Sequence, residues 1–465
     1  MTAWIAYLDR LVWGGGLIFL LLLTGVCMTG ATRGIQWRRL GSALRYMVHN
    51  EAEGTGEVGS FAALCMALSA TIGTGNIIGT ATAVTLGGPG ALFWMLISAV
   101  LGMATKYAEG FLAVRFRYEQ DGHTSGGPFA YIRLGMGERW KPLAAAFALF
   151  GMLAGLLGIG TVTQVNGITA AAERVLDPAR QHIAFSVAGE EYTWVTVVTG
   201  LMVTALTAAV LAGGVRRIAG VSSVLVPLMS ILYVGCTLWI LIRYCRALPG
   251  CIGLVLQGAF APQAVLGAGA GVTLRTVMRL GVGRGIFSNE AGLGSAPIAA
   301  AAAKSHDPVR QGLVTMTGTF VDTVVLCTLT GLTLLVTDAW QFPAAEGFGV
   351  SALAWEWGLP LPSSVSGALL SVCLIFFAFT SIIGWHYYAQ RCFAYLFGEK
   401  RLSLFRWLYV LAVGIGPFLP VGFVWDLAEL CNGLMAFPNL IALLALMPVV
   451  RRETRQWEKS RKTGG

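Results

Sequence analysis

Charge is what this chain has least of. Asp, Glu, Lys and Arg make up 12% of its 465 residues, against roughly a quarter in ordinary soluble domains. A soluble fold of this length needs a charged surface that the sequence does not supply, so a soluble enzyme or binding domain is excluded at the outset. Side chains for catalysis or metal binding are as thinly spread. The five His are dispersed, and none has the His–Cys or His–Asp spacing of a metal site or a triad. The nine Cys fall mostly inside apolar runs with no CxxC pair, so they read as small packing residues. There is no P-loop and hence no ATP-driven engine. The first apolar run, Leu11 to Met28, is followed by basic residues and not by a small-residue cleavage site. The reading is a protein that is not an enzyme and needs no cofactor. The net charge of +9 does not indicate nucleic acid, because the basic residues sit in the connections between apolar runs, where orientation signals belong.

What the chain does have is long apolar runs, with 56% hydrophobic residues and 60 Gly. In lipid every backbone polar group must be satisfied within its own segment, so such runs become helices. About twenty apolar residues cross a bilayer. The expected architecture is therefore an all-α integral membrane protein with eleven transmembrane helices, at 11–29, 60–88, 90–116, 143–172, 193–213, 217–242, 251–285, 312–337, 364–390, 405–424 and 428–450. The connections 30–59, 119–141 and 286–311 read as non-spanning, with a short surface helix over Ala299 to Ala303. Most of the 32 Lys and Arg fall in alternate connections, among them Arg38, Arg117, Arg217, Arg279, Arg284, Arg401 and Arg452. Lys and Arg accumulate on the cytoplasmic side, which places the N-terminus outside and the C-terminus in the cytoplasm. Residues 1–59 hold an extra first helix and a loop, and 451–465 form a basic tail. The ten helices between divide into five and five, 60–248 and 249–450, so that the halves insert with opposite orientation.

The first span of each half is interrupted, at Ser69–Asn76 and within 260–271. Broken spans at corresponding positions of two halves point to a transporter site at the bilayer midplane. Gly73 and Gly75 flank Thr74 inside an apolar span. If the helix unwinds there, its second part starts near Asn76 with free N–H groups that suit a carboxylate, and the freed carbonyls suit a hard cation. A close helix crossing would also need glycine. Thr380 and Ser381 sit mid-span. Their hydroxyls either bond back to the preceding turn or ligate a cation facing the first break. Trp385, one turn on, lies on the same face and either packs or narrows a cavity to a small side chain. Gln164 and Asn166 are interhelix links or, for Gln164, a substrate contact. Asp322, within a span, is a structural partner or a proton-linked gate. Lys106 and Glu109 are expected to pair with each other, and Glu290 to belong to an inner loop that packs or gates.

Several runs carry a family resemblance along nearly the whole chain: Gly73-Thr74-Gly75-Asn76-Ile77, Gly87-Gly88-Pro89-Gly90-Ala91, Ser125-Gly126-Gly127-Pro128, Ser288-Asn289-Glu290-Ala291-Gly292-Leu293-Gly294-Ser295-Ala296-Pro297, Ile383-Gly384-Trp385 and Asn432-Gly433-Leu434-Met435-Ala436. In these the chain resembles the alanine or glycine:cation symporters, also called sodium:alanine symporters. The resemblance implies a leucine-transporter-type 5+5 inverted repeat preceded by one extra N-terminal helix. It implies sodium-coupled symport of a small neutral amino acid, alanine or glycine, across a bacterial inner membrane. Proton coupling, or amino-acid sensing without large flux, are the alternatives. It places Na+ between the carbonyls of Ser69, Ile72 and Phe377 and the hydroxyls of Thr380 and Ser381. It places the amino acid near Gly73, Thr74, Gly75, Asn76, Gln164 and Trp385.

Overall fold

The structure is a computed structural model that describes residues 4, 7–8, 11–48, 56–120, 123–187, 190–261, 273–342, 347–419 and 421–463. Among these residues it is mostly helical, as long apolar runs dictate. Seven helices are long and apolar enough to cross a membrane, or eight if one bent pair counts as a single span.

In chain order the principal helices begin with α1, Gly15–Ala31. The expected 60–88 span is the bent pair, α2 (Ser60–Thr71) and α3 (Thr80–Gly87), joined through a π-helical turn at Gly75–Gly79 with a bend of 52°. α4 covers Gly90–Arg115. The 143–172 span carries a break that the apolar run concealed. α5 (Lys141–Leu157) stops at Gly158 and α6 (Val162–Leu176) starts after Thr161, and both junction residues are outside helical geometry. α7 (Trp194–Leu211) and α8 (Gly214–Arg243) match their expected spans. The 251–285 span is two helices, α9 (Leu248–Phe260) and α10 (Leu274–Asn289). The interruption expected within 260–271 falls almost wholly outside the described residues.

α11 (Ala296–Ala301) follows a turn of six residues. It is buried throughout and is not the surface helix expected there. α12 (Pro308–Thr319) runs into a second π-helical stretch, Phe320–Cys327, and then α13 (Thr328–Val336). α14 is Phe348–Gly358, α15 the long Ser363–Phe397, α16 the short Leu402–Ile415, and α17 Val421–Thr463. Two small antiparallel hairpins depart from the all-helical expectation: β1 (Tyr118–Gln120) with β2 (His123–Ser125), and β3 (Ile183–Val187) with β4 (Glu190–Thr193).

The turn between α10 and α11 is a second break, alongside the one between α2 and α3. Glu290 sits in the left-handed region at φ 55°, Gly292 at 90° and Gly294 at 85°. A side chain at either glycine would be strained. α10 packs beside α3 and α11 beside α2, so the two broken segments run side by side. This moves Arg279 and Arg284 away from the end where they were expected. A Cβ at Gly87 would stand 3.3 Å from Leu280 Cδ1, whereas at the opposite end the Lys304 N–H donates to the Val58 carbonyl at 2.8 Å.

Candidate functional site

The break in the first segment begins at Ile72, whose backbone leaves the helix with ψ 99°. Its own N–H still donates to Leu68 O at 2.7 Å, but its carbonyl is turned toward α15. There the Ser381 hydroxyl bridges two carbonyls, Ile72 O at 3.3 Å and Phe377 O at 3.0 Å, and Thr380 Oγ1 donates to Phe377 O at 2.9 Å. Ser69 lies against the same helix: a Cβ at Gly384 would stand 2.6 Å from Ser69 Oγ, which donates to Met66 O at 2.8 Å. Four of the five residues assigned to a cation thus converge directly, and the fifth flanks them. Ser69, Ile72, Phe377, Thr380 and Ser381 are all fully buried. Oxygens crowded together out of water repel one another unless a proton or a cation lies among them. Thr380 and Ser381 supply one hydroxyl proton each to the two carbonyls, and each hydroxyl oxygen keeps a lone pair that could turn to a cation.

Beside it lie the residues assigned to the amino acid. A Cβ at Gly73 would be 2.6 Å from Ser381 Oγ, 3.3 Å from Gln164 Oε1 and 3.5 Å from Gln164 Nε2. Gln164, in the first turn of α6, donates to Ile159 O at 3.1 Å in the α5–α6 break, while its Oε1 has no partner among the described residues. Thr74 Oγ1 also has none. These two atoms are buried, unsatisfied, and adjacent to the open turn, which is the arrangement expected of groups that wait for a ligand. Gly75 is packed so that a Cβ would meet Ser288 Cα at 3.2 Å. Asn166 does not join this group, because it donates to Val162 O and to Gly416 O (2.9 Å).

Asn76 is differently employed from the expectation. Its Oδ1 accepts the Gly73 N–H at 3.0 Å, and its Nδ2 donates to Asp322 Oδ1 at 2.7 Å. Both ends of the carboxamide are spoken for by protein, so Asn76 shapes the break and ties it to the second π-helical stretch. Asp322 in turn accepts from Ser288 Oγ (2.9 Å) and Thr323 Oγ1 (2.7 Å). One carboxylate therefore joins three elements: the first break, α10 and the Phe320–Cys327 stretch. π-helical turns of this kind recur at functional sites.

Trp385 is fully buried, and its indole N–H donates to Glu290 Oε1 at 3.0 Å. Glu290 also accepts from Ser295 Oγ. Glu290, expected in an inner loop that packs or gates, is 0% exposed and bonded to Trp385, so it lies deeper than a position near the interface. The ring backs onto the α5–α6 break, where a Cβ at Gly160 would be 2.6 Å from Trp385 Cβ. Tyr409 OH pins that break by bonding Gly160 O (2.8 Å) and Ile382 O (2.7 Å). The expected Lys106–Glu109 bond is also absent. Glu109 Oε1 instead accepts from the Gly294 N–H at 3.1 Å and Asn439 Nδ2 at 2.7 Å.

The arrangement can hold a small cation on carbonyl and hydroxyl oxygens, next to a small zwitterion at the turn. Sequence reasoning read Glu290 as part of an inner loop that packs or gates, and missed Ser288 and the second break at 290–295. The sequence signal was Gly292 and Gly294, two apart in a polar run, but its nearness to Arg284 suggested an interface loop.

A profile of the sodium:alanine symporter family matches residues 1–465. The sodium/alanine symporter AgcS of Methanococcus maripaludis is 40% identical over 462 residues, covering 98% of this chain and 96% of that protein. An uncharacterized transporter of Haemophilus influenzae is 48% identical over 451 residues, 97% of this chain and 94% of that one. Among solved structures, MhsT in complex with L-phenylalanine superposes with a TM-score of 0.59 at 14% identity, over 85% of this chain and 90% of that chain. That last likeness is one of fold.

Proposed function

The chain belongs to the sodium:alanine symporter family of membrane transporters, and on that premise we propose that it imports a small neutral amino acid, alanine or glycine, together with Na+ by alternating access. The observation that carries this reading is the convergence of Ile72 O, Phe377 O, Thr380 Oγ1 and Ser381 Oγ beside Gly73 and Gln164. Na+ prefers such hard oxygens. Once the ion is seated, it fixes the turn at Ile72–Gly73, and the adjoining backbone N–H groups receive the carboxylate of the amino acid. The ring of Trp385 limits the side chain to a small one. The two broken segments are what a 5+5 inverted repeat, 60–248 and 249–450, would bring to its axis. The basic C-terminal tail supports a cytoplasmic C-terminus, with the N-terminus outside.

The energetics fit one ion per substrate. One charge moving down about 100 mV yields about 2.3 kcal/mol, and a tenfold sodium gradient adds about 1.4 kcal/mol. Together these sustain an accumulation of several hundredfold. The test is uptake of labelled alanine and glycine into proteoliposomes of the purified protein, with and without an inward sodium gradient. Sodium-dependent accumulation is expected. Accumulation driven equally by a proton gradient replaces the ion, and no uptake under either gradient refutes the transport reading.

A further inference from the structure

Lys106 lies on a buried face of α4, 2% exposed, and its ammonium has no hydrogen-bond partner among the described residues. A buried charge without partners is costly in any protein and more so in a membrane. Its surroundings can be read from the glycines one turn to either side. A Cβ at Gly102 would stand 2.8 Å from Ala291 Cβ and 3.9 Å from Asn289 Oδ1, and one at Gly110 would stand 2.3 Å from Thr315 Oγ1. The side chain of Lys106 thus emerges between the α10–α11 turn and α12, and it leans toward Gly102, because helical side chains tilt toward the N-terminus.

Three acids lie on the elements around this ammonium: Glu109 one turn on along its own helix, Glu290 between the Asn289 and Ala291 that pack at Gly102, and Asp322 beside Thr323, whose hydroxyl accepts from Asn289 Nδ2 at 3.0 Å. The phenols of Tyr131 and Tyr388 border Glu109 and Glu290. Arg310, on α12, is turned outward onto the ring of Tyr46, 4.8 Å from its centroid. On α10, Arg284 is engaged by Glu429 at 2.7 Å. Each of the three acids holds a different part of the site. Asp322 holds Asn76 and so the first break. Glu290 holds Trp385. Glu109 holds the Gly294 N–H in the second break and Asn439 of α17. Glu109 Oε2, Gln311 Oε1 and Thr319 Oγ1, all buried at this junction, have no partners either.

We propose that Lys106 is a positioning residue of the transport site: its buried ammonium offsets part of the negative charge shared by Glu109, Glu290 and Asp322, and so helps to set Asn76, Trp385 and the second break in one arrangement. The role rests on the symporter reading above, but the charge balance itself can be tested apart from it. Without Lys106, none of the described residues supplies a cation to the three buried carboxyl groups, and one of them must take up a proton before the arrangement can form.

The test compares wild type, Lys106→Met and the double variant Lys106→Met/Glu109→Gln. Gln keeps the acceptor used by Gly294 and Asn439 while removing one negative charge. Sodium-driven alanine uptake by Lys106→Met is expected to fall at least about tenfold near neutral pH and to recover as the pH is lowered toward about 5.5. The double variant is expected to return to within about threefold of wild type, with the acid dependence gone. A merely structural lysine would give a loss that is equal at every pH and is not relieved by the second change; that result overturns the proposal, as does wild-type behaviour of Lys106→Met. Failure of both variants to fold also overturns it, since charge balance would then not be what Lys106 supplies. If wild type itself moves no alanine or glycine, the symporter reading fails alone. The same three proteins are then compared by thermal melting across pH, where Lys106→Met is expected to regain stability in acid and the double variant at every pH.

Discussion

Gly73→Ala puts a single methyl group at the junction between the proposed ion and the proposed amino acid. The new Cβ would stand 2.6 Å from Ser381 Oγ and 3.3 Å from Gln164 Oε1, where a relaxed contact needs roughly 3.5 Å. The backbone at Gly73 is not left-handed, so the cost is purely steric. Ser381 can yield only by turning its hydroxyl away from Ile72 O and Phe377 O, the two carbonyls it bridges. Overpacking of this kind costs about 1–3 kcal/mol. About 2 kcal/mol taken from ion binding raises the half-saturating sodium concentration roughly thirtyfold. Gly79→Ala is the matched control, six residues along the same segment, where the nearest outside atom to a new Cβ is Arg284 Cδ at 4.0 Å. The assay is the initial rate of alanine uptake into proteoliposomes against external sodium. A right-shifted sodium curve for Gly73→Ala, with Gly79→Ala on the wild-type curve, is expected. Superimposable curves for all three proteins would refute the placement of the ion site against Gly73.

Three further substitutions probe the same geometry. Asn76→Ala removes both the acceptor for the Gly73 N–H and the donor to Asp322, each bond to a charged or buried group being worth about 1–3 kcal/mol; uptake is expected to vanish while the protein elutes as a folded species, and near-normal uptake would show that Asn76 does not shape the break. Thr380→Ala combined with Ser381→Ala strips the two hydroxyls from the oxygen set and should raise half-saturating sodium at least about tenfold, measured as above; an unchanged value removes them from the ion site. Glu290→Ala frees the Trp385 indole, so leucine and phenylalanine should begin to compete with labelled alanine, whereas Glu290→Gln keeps an acceptor and should stay selective. Equal competition profiles for the two variants would show that the Glu290 bond does not set side-chain size.

The helices were legible in the sequence because lipid leaves an apolar run little choice. Expected boundaries fall within a few residues of α4, α7, α8 and α12–α13, whereas α15 and α17 run well past the expected 390 and 450. The errors share a cause: hydropathy records how apolar a stretch is, not whether its backbone is continuous. The run at 143–172 stays apolar through Gly158 and Thr161, so its break was invisible. The run at 286–301 is polar enough to resemble a connection, although the structure buries it between α2, α4 and α12. With that misreading went Arg279 and Arg284, whose side of the molecule depended on where the second half's first helix ends.

Most of the proposed ligand contacts were legible too, for the opposite reason. Gly73, Thr74, Gln164, Thr380 and Ser381 are polar or permissive residues in apolar surroundings, and that contrast is a property of composition alone. The groups that hold them in place could not be found that way. Asp322 stood out as an intramembrane acid, but nothing in its neighbours names Asn76, 246 positions away, as its partner. Lys106 and Glu109, one turn apart on α4, have the i,i+3 spacing of a helical ion pair. Glu109 is nevertheless bonded to Gly294 and Asn439 from two other elements, and the ammonium is left among elements that carry three acids. Local spacing shows which charges can meet, but in a buried site the choice among them is made by donors that arrive from distant parts of the chain. Here each donor belongs to a broken helix or to a helix packed against one. The charges are therefore tied to the segments whose movement the transport reading requires. Losing a single charge in this group should disturb both breaks together, and not only the one to which it is bonded.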